Sequence, residues 1–298
     1  MTQQQDVEFS AEDGVLLRGS LYLPDGPGPH PALTMAGGFG SVRQQGIQPY
    51  TDKFAAAGFV VLAHDHRSFG DSDGEPRQDI DPWRQIHDWR RALSFLEARP
   101  EVDAQRIGLW GNSYAGGHAI VLGATDRRLR AIVAQVPNIS GSQSGLRRVP
   151  PDLTPAFEHE LDEDERAQAQ GNPPRYQALV DKDPAVPAAY HAPDAVDFYL
   201  STVPAGARWE NTVTLRSTRK ARMYDPGAFA ARVSPTPLLM IVASHDTISP
   251  TDLALAAYRD ALEPKRLEVM RGGHFDPYLG GFEHSSDAAL DWFTTHLA

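Results

Sequence analysis

Short apolar segments separated by turn residues dominate the first half of the chain. Residues 7–9 and 16–23 flank a Glu-Asp-Gly turn, which predicts an opening hairpin. The later apolar runs predict strands at 32–35, 59–63, 107–110 and 131–136. Because such strands alternate with helical stretches, the pattern indicates a largely parallel sheet covered on both faces by helices.

The spacing of polar and apolar residues also predicts where helices lie. Asp81 is placed to cap a helix over 82–98, with Pro82 at its first position. The apolar residues that share one face of this helix are Trp83, Ile86, Leu93 and Leu96. A second helix is predicted to begin at Tyr114, directly after strand 107–110.

The pattern changes between residues 138 and 232. This segment is rich in proline, charge and scattered aromatic residues, and no apolar strand is evident in it. We therefore predict an α/β core domain formed by 1–137 and 233–298, with 138–232 inserted as a mainly helical cap. The acidic run at 158–165 is expected to be a solvated helix face. Beyond the insertion, the predicted elements are a strand at 237–243, a helix from Pro250 capped by Ser249, a strand at 266–270 and a helix at 282–296.

Length and composition fit one large domain with a sizeable insertion. The chain has 298 residues, 41% of them hydrophobic, which is enough for a substantial core. A formal net charge of -11 argues against nucleic acid or an anionic membrane as a partner, since both attract basic surfaces. The chain has no cysteine, which excludes disulfides, thiolate nucleophiles and cysteine-ligated metals. No signal peptide or membrane-spanning stretch is evident, so we expect a cytoplasmic protein.

The stretch from Ile107 to Gly117 carries the clearest candidate chemistry. An apolar run ends in Gly111-Asn-Ser113-Tyr-Ala115, and small residues then open the predicted helix. This is the strand-turn-helix context that holds a serine on a strained turn with its hydroxyl exposed as a nucleophile. Ala115 stands where the pattern usually has a second glycine, although alanine carries the smallest side chain that has a Cβ.

A serine hydroxyl needs a base and a group that orients the base before it becomes a good nucleophile. Asp246 follows strand 237–243, and His274 lies in a glycine-rich loop after strand 266–270. Like Ser113, both lie at the carboxyl ends of predicted parallel strands, where open α/β sheets place their sites. Asp246 has the alternative of capping the next helix, a task that Ser249 already fits, and Asp276 is a rival acid two residues from His274.

Two backbone N–H groups are candidates for an oxyanion hole. One belongs to Tyr114, the residue after the candidate nucleophile, and the other to Phe39 in the turn from Gly37 to Gly40. The glycines of this turn let the backbone bend sharply and approach a substrate.

Several motifs in order give the chain a clear resemblance to the α/β-hydrolase superfamily over essentially its whole length. Asp65-His-Arg67-Ser68-Phe-Gly-Asp71-Ser resembles a turn common in that superfamily, with Ser68 in place of the usual first glycine. The stretches Ile80-Asp-Pro-Trp, Val102-Asp-x-x-Arg-Ile-Gly-Leu-Trp-Gly and Gly273-His-Phe-Asp-Pro-Tyr resemble a narrower group. That group contains bacterial dienelactone-hydrolase-like or peptidase-S15-like hydrolases and fungal polyketide acyl transferases.

The resemblance implies an α/β-hydrolase fold and the chain order serine, acid, histidine, which Ser113, Asp246 and His274 follow. It implies a serine hydrolase that acts on a small-molecule ester, thioester or related acyl substrate and needs no cofactor. Acyl transfer with the same residues is the alternative, and a non-catalytic ligand-binding protein is a more distant one. Peptidase activity is less expected, because the chain has no room for the large accessory domains of many related peptidases.

The remaining polar candidates receive structural interpretations. His64 and His66 flank Asp65, but no third ligand is evident, so we predict no metal site. His118, Arg67 and Asp71 are expected to be structural. The sequence leaves open whether the chain forms a homodimer.

Overall fold

A computed structural model describes residues 3–297 of the chain; residues 1, 2 and 298, which end the predicted core segments, lie outside this part. The strands are β1 (Gln3–Ser10), β2 (Leu16–Leu23), β3 (His30–Ala36), β4 (Val60–His64), β5 (Val102–Asn112), β6 (Leu129–Gln135), β7 (Tyr176–Val180), β8 (Ala188–Tyr190), β9 (Thr212–Thr214), β10 (Leu238–Ala243) and β11 (Lys265–Met270). The helices are α1 (Gln48–Ala56), α2 (Pro82–Glu97), α3 (Ser113–Thr125), α4 (Gly141–Arg148), α5 (Thr154–Ala169), α6 (Pro193–Ser201), α7 (Leu215–Arg222), α8 (Thr251–Asp260) and α9 (Phe282–Leu297). Short 3₁₀ helices cover Pro226–Arg232 and Asp276–Tyr278.

Eight strands form one sheet in the order β1-β2-β4-β3-β5-β6-β10-β11. The β1–β2 and β2–β4 pairs are antiparallel, and every later pair is parallel. All residues of β4 and β10 are buried, as expected for parallel strands that have helices on both faces. The predicted α/β-hydrolase sheet and its flanking helices are therefore confirmed.

Helices cover the two faces of this sheet in separate groups. Helices α1 and α9 contact each other and pack on one face. Helices α2 and α3 also contact each other, and they pack on the other face, where the 3₁₀ helix Pro226–Arg232 joins α3 to α8. Helix α2 begins at the predicted residue, with both Trp83 N–H and Arg84 N–H donating to the Asp81 carboxylate at 3.1 Å. No helix within residues 3–297 is long and apolar enough to cross a membrane.

The segment 138–232 contains four α-helices, α4 to α7, and a small sheet in the order β8-β7-β9. The sheet was not expected from the sequence, because β8 and β9 have three residues each and show no apolar alternation. The acidic run lies on α5 and is largely solvated, with one difference from expectation. Asp164 is buried and accepts a hydrogen bond from the backbone N–H of Arg175 at 2.8 Å.

Two further elements differ from the predictions. Helix α1 was not predicted; it is short and places only four residues in the core. Helix α8 begins at Thr251 rather than at Pro250, and no side chain caps it. The predicted cap by Ser249 is therefore wrong; the Thr251 hydroxyl instead donates to the carbonyl of Ala243, at the end of β10, over 2.7 Å.

Candidate active site

Ser113 lies on a strained turn between β5 and α3. Its φ of 54° falls in the left-handed region, which residues with a side chain rarely adopt. A Cβ added at Gly111 would lie 2.2 Å from the carbonyl oxygen of Ala115, so only glycine fits there. Ala115 itself is fully buried at the position where the usual motif has its second glycine. The first glycine is thus required by close backbone contact, whereas the second position accepts alanine.

A chain of hydrogen bonds joins Ser113, His274 and Asp246. Ser113 Oγ lies 2.9 Å from His274 Nε2, and His274 Nδ1 lies 2.7 Å from Asp246 Oδ2. Because an ionised carboxylate only accepts hydrogen bonds, Nδ1 carries the proton and Nε2 can accept the one from the Ser113 hydroxyl. The structure therefore brings together three residues that lie 161 and 28 positions apart in the chain.

The carboxylate of Asp246 is fixed on both of its oxygens. While Oδ2 faces His274, Oδ1 accepts hydrogen bonds from the backbone N–H groups of Ile248 at 2.8 Å and Ser249 at 2.7 Å. The Asp246 carboxylate thus orders the loop after β10 as well as facing the histidine. The rival acid Asp276 accepts instead from the N–H of Gly273 at 2.6 Å.

The turn after β3 comes close to Ser113. A Cβ added at Gly38 would lie 3.1 Å from the Cβ of Ser113, so a side chain there would crowd the serine. The N–H of Phe39 donates to no residue in the described part of the chain. The N–H of Tyr114 belongs to the first turn of α3, where backbone donors have no partner within the helix. Phe39 and Tyr114, the two candidate oxyanion residues, both line the cleft at Ser113.

Residues of segment 138–232 hold this turn from the other side. The Tyr199 hydroxyl donates to the carbonyl of Phe39 at 2.6 Å, and Trp209 Nε1 donates to the carbonyl of Gly40 at 2.9 Å. The turn is therefore fixed through its carbonyls, which leaves the N–H of Phe39 available.

A cleft opens at Ser113 between the core and segment 138–232. From the core it is lined by Phe39, Tyr114, Ile248 and Ser249, and from the segment by residues that include Asn138, Ser144, Arg148, Tyr190 and Arg222. These segment residues belong to no sequence motif and reach the cleft only through tertiary packing, so the amino-acid pattern carries no signal for them.

Three buried histidines lie close together, His64 at the end of β4, His66 in the turn that follows it and His118 on α3. The rings of His64 and His66 are 5.5 Å apart, and those of His66 and His118 are 5.8 Å apart. His118 makes hydrogen bonds to the Tyr224 hydroxyl at 2.9 Å and to Gln85 Oε1 at 3.0 Å, as its structural interpretation predicts. Within residues 3–297 there is no group of three or more His, Asp or Glu residues arranged to hold a metal ion.

Burial keeps these histidines neutral. It lowers the pKa of His66 to about 4 and holds the pKa values of His64 and His118 well below the usual histidine range. The imidazoles therefore serve as neutral packing groups, and His118 is also a hydrogen-bonding group.

The turn after β4 is anchored by ion pairs. Arg67 contacts both oxygens of Asp88 on α2, at 2.5 and 2.6 Å. Asp71 pairs with Arg43 at 2.8 Å, so Arg67 and Asp71 have the structural roles expected of them. Ser68 has a φ of 69°, which explains why glycine is usual at this position of the turn.

Comparison with known proteins places the chain in a family. The family model described as X-Pro dipeptidyl-peptidase (S15 family) matches residues 13–276. The quorum-quenching protein AidA of Acinetobacter baumannii is 31% identical over 281 residues, which cover 92% of this chain and 89% of AidA. A thiohydrolase of Eupenicillium brefeldianum is 32% identical over 285 residues, covering 94% of this chain and 90% of that protein.

A solved structure supports the same assignment. The crystal structure of the α/β hydrolase GrgF from Penicillium sp. sh18 matches with a TM-score of 0.83 and 28% identity, and the match covers 99% of each chain. The sequence of GrgF, described as a polyketide transferase, is 29% identical over 296 residues. The family match spans most of the chain and the fold agrees over nearly all of it, so the chain belongs to the S15 family and is an α/β-hydrolase enzyme.

Proposed function

We propose that the protein cleaves a carboxylic ester or thioester through an acyl-enzyme formed on Ser113. The observation that carries this proposal is the hydrogen-bonded chain from Ser113 Oγ through His274 to Asp246. It is supported by the left-handed φ of Ser113, which presents the hydroxyl at the end of β5, and by the cleft that opens there.

In the first half of the reaction, Ser113 Oγ attacks the acyl carbon while His274 Nε2 takes the hydroxyl proton. The carboxylate of Asp246 stabilises the resulting imidazolium and keeps its ring in place. The oxyanion that develops on the acyl oxygen accepts hydrogen bonds from the N–H groups of Phe39 and Tyr114.

The tetrahedral intermediate then collapses and the imidazolium gives its proton to the departing alcohol or thiol, which completes this half. The acyl group then remains on Ser113 as an ester. In the second half of the reaction, His274 takes a proton from water, and the water oxygen attacks the acyl carbon. The acid is released when His274 returns this proton to Ser113.

The similar proteins support an ester or thioester substrate for this chain more than a peptide substrate. The family model carries the name of a dipeptidyl-peptidase, yet the relative from E. brefeldianum, which matches nearly end to end, is a thiohydrolase. A thiolate is also a better leaving group than an amine, so a thioester demands less from the general acid.

Acyl transfer is the second candidate, because GrgF is described as a polyketide transferase and matches over the same length. It uses the same acyl-enzyme and differs only in the last step, where an alcohol or amine replaces water. The choice depends on whether the cleft beneath segment 138–232 admits an acceptor and excludes water.

A panel of nitrophenyl esters and acyl thioesters of increasing chain length tests the proposal, with Ser113→Ala run beside the wild-type enzyme. We expect turnover of several members and a fall of at least about 10³ in kcat for Ser113→Ala. Product analysis with added alcohols and amines separates hydrolysis from transfer. Equal turnover by the wild type and Ser113→Ala would contradict the mechanism.

Three further expectations accompany this proposal. The boundaries of the cap at 138–232 are supported by the break in strand pattern, and Tyr199 and Trp209 are its links to the turn after β3. A cytoplasmic location is supported by the absence of cysteine. The net charge of -11 supports a small-molecule substrate rather than nucleic acid or a membrane. Sedimentation of the purified protein would decide between a monomer and a homodimer.

A further inference from the structure

The cleft beside Ser113 differs in charge from the rest of the protein. Its charged lining consists of Arg148 and Arg222, and no carboxylate of the described residues lines it. The chain as a whole carries a net charge of -11. A positive cleft in an acidic protein concentrates anions at the site.

Arg148 is the cation of this cleft that lacks a counter-ion. Its guanidinium lies 4.6 Å from the centre of the Tyr190 ring and makes a long contact of 3.4 Å with the carbonyl of Ile248, and it pairs with no carboxylate among residues 3–297. By contrast, Arg222 lies 3.0 Å from Glu158. The neighbouring Arg147 makes two hydrogen bonds to Asp252, at 2.6 and 2.8 Å.

Polar atoms of the same cleft also lack partners. The Tyr114 hydroxyl, the Ser144 hydroxyl and Asn138 Nδ2 are buried and make no hydrogen bond to any described residue. Tyr114 and Ser144 are each 5% exposed. Burial raises the pKa of Tyr114 well above its usual value, so its hydroxyl keeps its proton. Each of the three groups can donate a hydrogen bond, and buried donors are normally satisfied.

A series of aromatic contacts connects Tyr114, the residue after Ser113, to Arg148. The Tyr114 and Phe39 ring centres are 5.3 Å apart, and those of Phe39 and Tyr190 are 5.7 Å apart. Since the Arg148 guanidinium stacks on Tyr190 at the end of this series and lines the same cleft as Ser113, it is placed to contact a group of the substrate other than the reacting carbonyl.

We infer that the substrate carries an anionic group, a carboxylate or a phosphate, which Arg148 binds in the cleft beside Ser113. The inference rests on the proposed function and specifies the substrate class of that same site. The donors of Tyr114, Ser144 and Asn138 fit the acceptor oxygens of such a substrate. The anion has two sources, a carboxylate at the end of the acyl group or a phosphate on the leaving thiol.

Two pairs of substrates distinguish these sources. In the acyl pair, 4-nitrophenyl hydrogen glutarate is compared with 4-nitrophenyl pentanoate, which has an acyl chain of the same length without the carboxylate. In the leaving-group pair, butyryl-coenzyme A is compared with the uncharged S-butyryl-N-acetylcysteamine. The kcat/KM ratio of the anionic to the neutral substrate is measured for wild type, Arg148→Gln, Arg148→Lys and Arg147→Gln.

We expect the ratio in one pair to fall about tenfold in Arg148→Gln, as for loss of one charge-assisted hydrogen bond. Arg148→Lys should keep most of the preference, and because the readout is a ratio, any general effect of a variant on both substrates of a pair cancels. Arg147→Gln is the matched control, because it removes the adjacent arginine that is already paired, and its ratio should equal that of the wild type.

The inference is overturned if Arg148→Gln leaves the ratio unchanged in both pairs, or if Arg147→Gln lowers it as much. Turnover of the neutral substrates without an Arg148-dependent preference would refute this inference alone. A wild-type enzyme that neither reacts with a fluorophosphonate nor hydrolyses any of the four substrates would refute the proposed function together with it.

Discussion

Single hydrogen bonds determine the orientation of the His274 ring. The ring is held at Nδ1 by Asp246, whose other oxygen accepts two backbone N–H groups, so the carboxylate cannot rotate without breaking three bonds. His274 is 2% exposed, and little water reaches it as an alternative partner. The ring is therefore held with Nε2 facing Ser113 before any substrate arrives.

Replacing Asp246 by asparagine tests this orientation. An amide in that place can turn its N–H₂ toward His274, which would favour the tautomer with the proton on Nε2 and remove the base that faces Ser113. We expect kcat to fall by a factor of about 10²–10⁴ in esterase assays, with little change in KM. Asp276→Asn is the control, because asparagine can still accept the Gly273 N–H. Equal activity of the two variants would show that Asp246 is not the orienting acid.

At the level of elements, the turn between β5 and α3 places the serine at the end of the sheet. The backbone of Gly111 runs against the carbonyl of Ala115, and the N–H of Asn138 donates to the carbonyl of Ser113 at 2.8 Å. These contacts hold Ser113 in its left-handed conformation, so the geometry of the turn and the stability of the protein depend on the same packing.

Gly111→Ala should therefore lower both stability and activity. The new Cβ would overlap the Ala115 carbonyl and push α3 away from β5, at a cost of about 1–3 kcal/mol in the free energy of unfolding. Gly280→Ala is the matched control, because a Cβ there meets nothing within 4 Å. Urea unfolding monitored by tryptophan fluorescence compares the stability of the two variants. An equal midpoint for Gly111→Ala and Gly280→Ala would contradict the packing argument.

The elements that could be predicted from sequence are those with local signals. Helix α2 begins where Asp81 and Pro82 predict it, and the fully apolar β10 lies within one residue of its predicted start. The candidate site residues were found because each follows a strand. The three-residue strands β8 and β9 have no such signal, because pairing with β7 rather than their own pattern forms them. Arg148 and Tyr199 reach the site by packing between distant segments, which spacing along the chain does not encode.

For the molecule as a whole, the buried neutral histidines on and beside α3 link stability to pH. An unfolded chain protonates these histidines below pH of about 6.5, whereas folded His66 remains neutral until the pH approaches its pKa of about 4. The unfolded state thus binds more protons in this interval, so the free energy of unfolding decreases as the pH falls. Burial gives His64 and His118 the same direction of effect.

We expect His66 alone to contribute a loss of about 1 kcal/mol in the free energy of unfolding between pH 7.5 and pH 5.5. Denaturant titrations at the two pH values, on the wild type and on His66→Gln, measure this contribution. The difference between the two pH values should be smaller in the variant by that amount. An identical difference in both proteins would show that His66 is not kept neutral by the fold.

The central claim is that Ser113 is the nucleophile activated by His274. Treatment with a fluorophosphonate, followed by mass spectrometry of the intact protein and of its peptides, tests it most directly. The account predicts one adduct per chain on the peptide that contains Ser113, no adduct in Ser113→Ala and strongly slowed labelling in His274→Ala. A folded wild-type protein that remains unlabelled, or an adduct on another residue that persists in Ser113→Ala, would contradict it.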